Sequence, residues 1–256
     1  MSAKYKSPSF LLPNELNTSA NTANDTGINS LYSMEFDGTN KTIATNYYWP
    51  TGNTAKSISL WFYKNSGSSE ATLIGGGQNS PGKYFGLSSF TSNNRFKFDI
   101  NPSIEFSANS AAFDQWQHIV VTAEPSGSDT ILKGYVDGVL DSEFPKTITG
   151  GINTSSAAPV TIGENNLLNY NKFPNGKIDE VAIFNRALNT TEIAALYGGT
   201  SPNIYPSNLI ASNLNPVAYY PLGEQAQNSG YLSASGNTWQ FPNGVLQDYV
   251  MDFDGT

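Results

Sequence analysis

The chain has 256 residues, 13 basic against 21 acidic, a net charge of −8 and no cysteine. Thirteen scattered Lys and Arg residues make no stripe that could displace counterions, so nucleic-acid binding is excluded as a class. Without cysteine there are neither disulfides nor thiolate zinc sites. Charged residues are only 13% while aromatics reach 12%. Such a balance suits many short strands joined by polar turns rather than a helical bundle.

Residues 1–30 are polar, with Pro8, Pro13 and a Ser/Thr/Asn-rich run, and read as an extended arm. No stretch has the length of a signal peptide or a membrane span, so no membrane insertion is expected. Strand patterns begin at LYSMEFDG (31–38) and continue through SISLWFY (57–63), ATLIGGG (71–77) and KYFGLSS (83–89). RFKFDI (95–100), SIEFS (103–107) and QWQHIVVTAE (115–124) follow. TILKGYVDGVLDSEF (130–144) reads as a hairpin around Asp137-Gly138, a dipeptide that accepts the positive φ of a type I′ turn. APVTIGE (158–164) and GKIDEVAIFN (176–185) complete the run.

A single helix is expected over Leu188–Tyr197, capped by Asn189 or Thr190 and ended by Gly198-Gly199. About ten strands with one short C-terminal helix predict an all-β, two-sheet antiparallel sandwich. Trp61 and Trp116, both at strand positions, are assigned to its core.

MEFDGTNKTI, SISLWFY, QWQHIVVT, GYVDGVL, PVTIGE and GKIDEVAIFNRALNTTEIAALY occur in an order and spacing that resemble laminin-G-like, pentraxin-like domains. The resemblance covers about 31–197. It implies a concanavalin A-like jelly roll, a fold used in binding modules, in structural proteins and as appendages to hydrolases. The domain is accordingly placed at 31–200, followed by a linker at 201–216. The segment 217–256 ends in YVMDFDGT, identical at six of eight positions to YSMEFDGT (32–39). It is read as the start of a second repeat or as a docking segment.

Catalysis finds little support. The laminarinase-like pattern Glu-x-Asp-x-x-Glu begins at Glu35 and Asp37 but lacks its final Glu, and His118 has no nucleophile elbow to serve. Adjacent Asp179 and Glu180 would point to opposite faces of a strand. A structural Ca²⁺, which takes hard oxygen ligands, is the expected cofactor. Its candidate ligands are Asp37 and Asn40 at the corner after the first strand, with Asp179 and Glu180 on the last strand, which the resemblance sets beside the first. The pentraxin-like pattern implies a second set, Glu164 and Asn165. Candidate glycan contacts are the loop aromatics Tyr47, Tyr48 and Trp49, and Tyr170 and Phe173 with Asn166 and Asn169.

The resulting expectation is a non-enzymatic structural or adhesion protein of a virus particle, such as a bacteriophage. It would be made in the host cytoplasm and displayed on the virion surface. Its partners would be other virion proteins, through the arm or the C-terminal segment, host-surface glycans, and further copies in a homo-oligomer. The alternatives are a carbohydrate-binding module of a bacterial secreted or cell-surface protein and, less favoured, a glycoside hydrolase.

Overall fold

The computed structural model describes residues 33–39, 41–90, 92–164, 172–198, 214–220 and 222, with the backbone of 231–232 and 238–240. The described strands form a jelly-roll sandwich of two main sheets. One sheet runs β1 (Met34–Asp37), β15 (Asn175–Phe184), β4 (Lys56–Lys64), β9 (Trp116–Ser126), β10 (Asp129–Val136) and β11 (Val139–Leu140). On it, β12 (Lys146–Ile148) pairs with β10, and β16 (Ala218–Tyr220) pairs with β15. The second runs β17 (Tyr231–Leu232), β18 (Thr238–Gln240), β2 (Thr42–Ala44), β14 (Thr161–Ile162), β5 (Ala71–Gly77), β6 (Tyr84–Phe90), β7 (Arg95–Asp99) and β8 (Ile104–Glu105). A short pair, β3 (Gly52–Asn53) with β13 (Asn153–Thr154), closes one end.

Alternation along each strand decides which side chains meet between the sheets. Ile58, Leu60 and Phe62 of β4, Ile119 and Val121 of β9, Phe85 and Leu87 of β6, and Phe96 and Phe98 of β7 all enter one buried core. Each fully buried side chain of this size contributes about 1.5–3 kcal/mol. The opposite face of β4 and β9 is covered by α1 (Thr190–Tyr197), whose Ile193 and Leu196 pack with Val120, Ala182 and Phe184. Asn189 caps α1: its side chain accepts from the Glu192 N–H while the Glu192 carboxylate accepts from the Asn189 N–H. Gly198, in the left-handed region at φ 46°, ends it.

Two expectations are corrected. Trp116 is half-buried rather than central, standing on the outer face in an edge contact with Tyr63 at 5.7 Å. Trp61 is buried, but also on the outer face, stacked on Tyr197 at 5.8 Å. The sandwich also reaches past residue 200. β1 and β16 share one edge of β15, β1 along Asn175–Ile178 and β16 along Val181–Ile183. Ala218 and Tyr220 are buried in the main core, so the first segment of 217–256 completes this sandwich. The arm 1–30, residues 201–213 and the repeat 249–256 lie outside the described residues.

Candidate functional site

The face of the second sheet turned away from the core carries the other half of the alternation. Register places Thr72 opposite Ser88, Gly75 opposite Gly86, and Gly86 and Ser88 opposite Asp99 and Lys97. Tyr84 and Phe90 continue the row on β6. Thr72, Tyr84, Ser88, Phe90, Lys97 and Asp99 line a cleft of about 360 Å³, which Glu70, Asn79, Asn101, Pro102, Ser103 and Lys172 complete from the adjoining loops.

Its floor is the aromatic ring of Tyr84. Gly75 and Gly86 make room for it, since a side chain at either position would overlap the ring or its hydroxyl. Tyr84 is only 1% exposed, and its hydroxyl has no hydrogen-bond partner among the described residues. Burial, and then the charges of Asp99 and Glu164, hold its pKa well above the usual tyrosine value.

Around that ring the polar groups form one network. Glu70 receives two ammonium groups, Lys97 on Oε1 at 2.6 Å and Lys172 on Oε2. Lys97 lies 3.8 Å from Asp99 Oδ1 and 4.8 Å from the centre of the Phe90 ring. Asp99 accepts from Ser103 at 2.8 Å and from Ser88. Burial pushes the Asp99 pKa up. Glu70 is also partly desolvated, but the hydrogen bonds from Lys172 and Lys97 outweigh this and lower its pKa. For Lys97 burial pulls down, while Asp99 and Glu70 more than compensate and raise it. Carboxylate acceptors, ammonium and hydroxyl donors, amides and a phenyl ring thus share one depression. Such a surface can hold a polyhydroxylated molecule by its hydroxyls and its C–H face.

Few of the residues expected to act from sequence lie here. Glu164 is the nearest: its charge reaches Tyr84, and its pKa is raised by partial burial. Phe173, half-buried, follows Lys172 at the rim. Asn165, Asn166, Asn169 and Tyr170 lie outside the described residues, as does Asn40. The aromatic loop is corrected in part. Tyr48 is 48% exposed, but Trp49 is fully buried, its indole donating to the Phe85 carbonyl at 3.1 Å. Tyr47 packs against the core, its pKa pushed up by burial to about 12. The chain turns inward at Trp49 because the indole fills the gap beside Phe85, at 4.9 Å between ring centres.

The first set of cation ligands does not converge. Asp37 pairs in register with Asn175, four residues before Asp179, roughly 13 Å along the strand at about 3.3 Å per residue. The exposed Asp37 accepts from the Thr39 hydroxyl and amide at 2.6 and 3.1 Å and is paired with Lys41 at 3.3 Å. Asp179 is buried, accepting from the Glu180 N–H at 2.9 Å. Glu180 is the extra residue of a β-bulge, at φ 50°, and accepts from the Tyr219 hydroxyl. The bulge therefore breaks the simple alternation expected for this pair. Among the described residues no group of three or more His, Asp or Glu side chains could hold a metal ion, so Asp37, Asp179 and Glu180 do not fit a shared Ca²⁺.

His118 is buried. Its Nε2 lies 2.8 Å from Ser59 Oγ, its ring stacks on Tyr197, and burial lowers its pKa to about 3. It is packed under α1, away from the cleft.

Glu70, Tyr84, Lys97 and Asp99 were not singled out from sequence. A signal was present in RFKFDI, where Arg95, Lys97 and Asp99 alternate with Phe96, Phe98 and Ile100, placing three charges on one strand face.

Comparison with known proteins bears on the fold. A family model described as the concanavalin A-like lectin/glucanases superfamily matches residues 36–194. No curated protein sequence matches the chain. Similar solved structures include a proposed carbohydrate binding protein from Bacteroides ovatus, at 14% identity and a TM-score of 0.54. The match covers 81% of this chain and 57% of that one. Domain 4 of an extracellular arabinanase from Geobacillus stearothermophilus matches at 21% identity and a TM-score of 0.45, over 58% of this chain and 68% of that one. A heptameric SAP-like pentraxin from Limulus polyphemus matches at 12% identity and 0.48, over 67% and 86%. Identities this low speak to the fold alone.

Proposed function

Taking as premise that this chain belongs to the concanavalin A-like lectin/glucanases superfamily, we propose that it is a carbohydrate-binding protein whose ligand sits in the cleft over Tyr84. The observation that carries this reading is the Glu70–Lys97–Asp99 network beside Tyr84 and Phe90. Sugar hydroxyls are donors and acceptors at once, and each finds a complementary group there. The apolar face of a pyranose or furanose ring has Phe90 to rest on. The Bacteroides ovatus protein of the same fold is itself proposed to bind carbohydrate.

Binding is favoured over hydrolysis by what lies between the carboxylates. A glycosidase needs its two carboxyl groups to flank the scissile bond. Here the ammonium of Lys97 stands between Glu70 and Asp99, and both Glu70 oxygens accept from lysines. A glycan array followed by calorimetric titration of the best hits tests the reading. Saturable binding weakened at least tenfold by Asp99→Asn is expected. Absence of binding to every glycan class would overturn it.

A second, finer reading places this binding domain on a virion surface, as an adhesion or decoration protein contacting other virion proteins and host glycans. It draws on the cysteine-free composition and on the recurrence of YSMEFDGT as YVMDFDGT, which suits a repeated display module. Display on a bacterial cell surface is the competing location. Among the described residues no helix is long and apolar enough to cross a membrane. Detection of the protein in purified virions would establish the virion location, and its recovery only from host cell surfaces would reject it.

A further inference from the structure

We infer that the cleft selects uncharged glycans and rejects uronic- or sialic-acid-bearing ones; this rests on the carbohydrate-binding reading above. The charged side chains that line the depression pair with one another, and Glu164 beside it adds a further negative charge. Lys97 and Lys172 both bind Glu70, and Lys97 also faces Asp99. Just beyond, Arg95 is paired with Glu105 at 2.6 Å. Each of these cations therefore has its anion within the fold, and the two lysines and two carboxylates of the cleft compensate one another.

An acidic sugar would need an ammonium or guanidinium that is not already neutralised. Here Lys97 and Lys172 are both already hydrogen-bonded to the carboxylate of Glu70, and an acidic sugar would bring its own charge toward Asp99. Like charges brought together in a partly desolvated cleft repel strongly. A neutral sugar meets no such opposition. Ammonium groups carry three N–H donors each and carboxylates several acceptor positions, so both retain capacity for a ligand hydroxyl after their mutual pairing. The sequence thus holds two lysines in a cleft without making it an anion site, because Glu70 stands between them.

The test is calorimetric titration of the full chain with neutral cello-, xylo- and arabino-oligosaccharides and with trigalacturonate and sialyllactose. The wild type is expected to bind at least one neutral series and to bind the acidic sugars at least tenfold more weakly. Glu70→Gln removes the negative charge that both ammonium groups bind and should raise acidic-sugar affinity at least tenfold while weakening neutral binding. Lys172→Met, checked for an unchanged melting transition, leaves Glu70 less compensated and should lower acidic-sugar affinity by a larger factor than neutral-sugar affinity. Wild-type preference for acidic sugars, or a Glu70→Gln protein that folds without gaining acidic-sugar affinity, overturns the selectivity while leaving carbohydrate binding standing. If no sugar of either kind binds, both readings fall.

Discussion

The phenolic oxygen of Tyr84 lies directly against Gly75, so close that a methyl group added at that glycine would overlap it. Gly75 is registered opposite Gly86, and the same ring lies over that glycine as well. The floor of the cleft therefore depends on two glycines that are used for space rather than for backbone freedom.

Gly75→Ala should tilt or expel the Tyr84 ring. Overpacking of this kind costs about 1–3 kcal/mol. The expected outcome is a lower melting temperature together with loss of glycan affinity; a protein with unchanged affinity would show that the ring is not the floor of the binding site.

Tyr84→Phe separates packing from hydrogen bonding. The hydroxyl is buried without a partner among the described residues, and leaving a buried polar group unpaired costs about 1–3 kcal/mol. Removing it while keeping the ring should raise stability by about 1 kcal/mol in urea denaturation. A drop in stability would mean that the oxygen is satisfied in solution, by a bound water molecule for example.

Acid should weaken the fold through His118. Its folded pKa is lowered by burial to about 3, against about 6.5 when unfolded. Between those values the unfolded chain binds a proton that the native chain does not, so stability falls as pH drops from about 6.5 towards 3. Urea midpoints at pH 7, 5 and 4 should decline, and His118→Gln should flatten the decline. Asp99, whose pKa is raised by burial, cannot mimic this. A carboxylate with a raised native pKa loses stability as pH rises through its unfolded value, the opposite sign.

Lys56 gives a complementary test in base. It sits on the inward face of β4 with Ile58, is buried, and its ammonium has no hydrogen-bond partner among the described residues; the nearest compensation is the Phe85 ring at 5.5 Å. Burial lowers its pKa to about 8. The unfolded chain keeps its proton up to about 10.4, so stability should rise as pH goes from 8 to 10. Lys56→Met should stabilise the protein at pH 7 by about 1–3 kcal/mol, since it removes a buried charge and keeps the apolar stem. Equal unfolding free energies for the two proteins at pH 7 would contradict this.

Much of the fold was legible because strands and turns are local. The alternation in SISLWFY, the Asp137-Gly138 turn and the Asn189…Glu192 capping box each follow from a few neighbouring residues. What escaped depends on distance along the chain. The cleft is assembled from Glu70, Lys97, Asp99 and Lys172, and no local pattern tells which strand faces will adjoin. Trp49 looked like a loop aromatic, but its environment is set by Phe85 on another strand. Asp179 and Glu180 read as opposite-facing neighbours, but a bulge in the pairing of β15 with the distant strand β4 interrupts the alternation there.

The strand β16 yields the last prediction, because local reading put it outside the sandwich. Ala218 is fully buried in the main core and pairs with Ile183 of β15. Ala218→Asp places a carboxylate among apolar side chains at the sheet edge. An uncompensated buried charge costs about 3–5 kcal/mol, a large part of the stability of an ordinary domain. The expected result is a large fall in the urea midpoint of the whole sandwich, monitored through the buried Trp49 and Trp61. If residues 214–222 belonged to an independent unit, that transition would keep its midpoint, and the shared edge of β1 and β16 on β15 would not contribute to the fold.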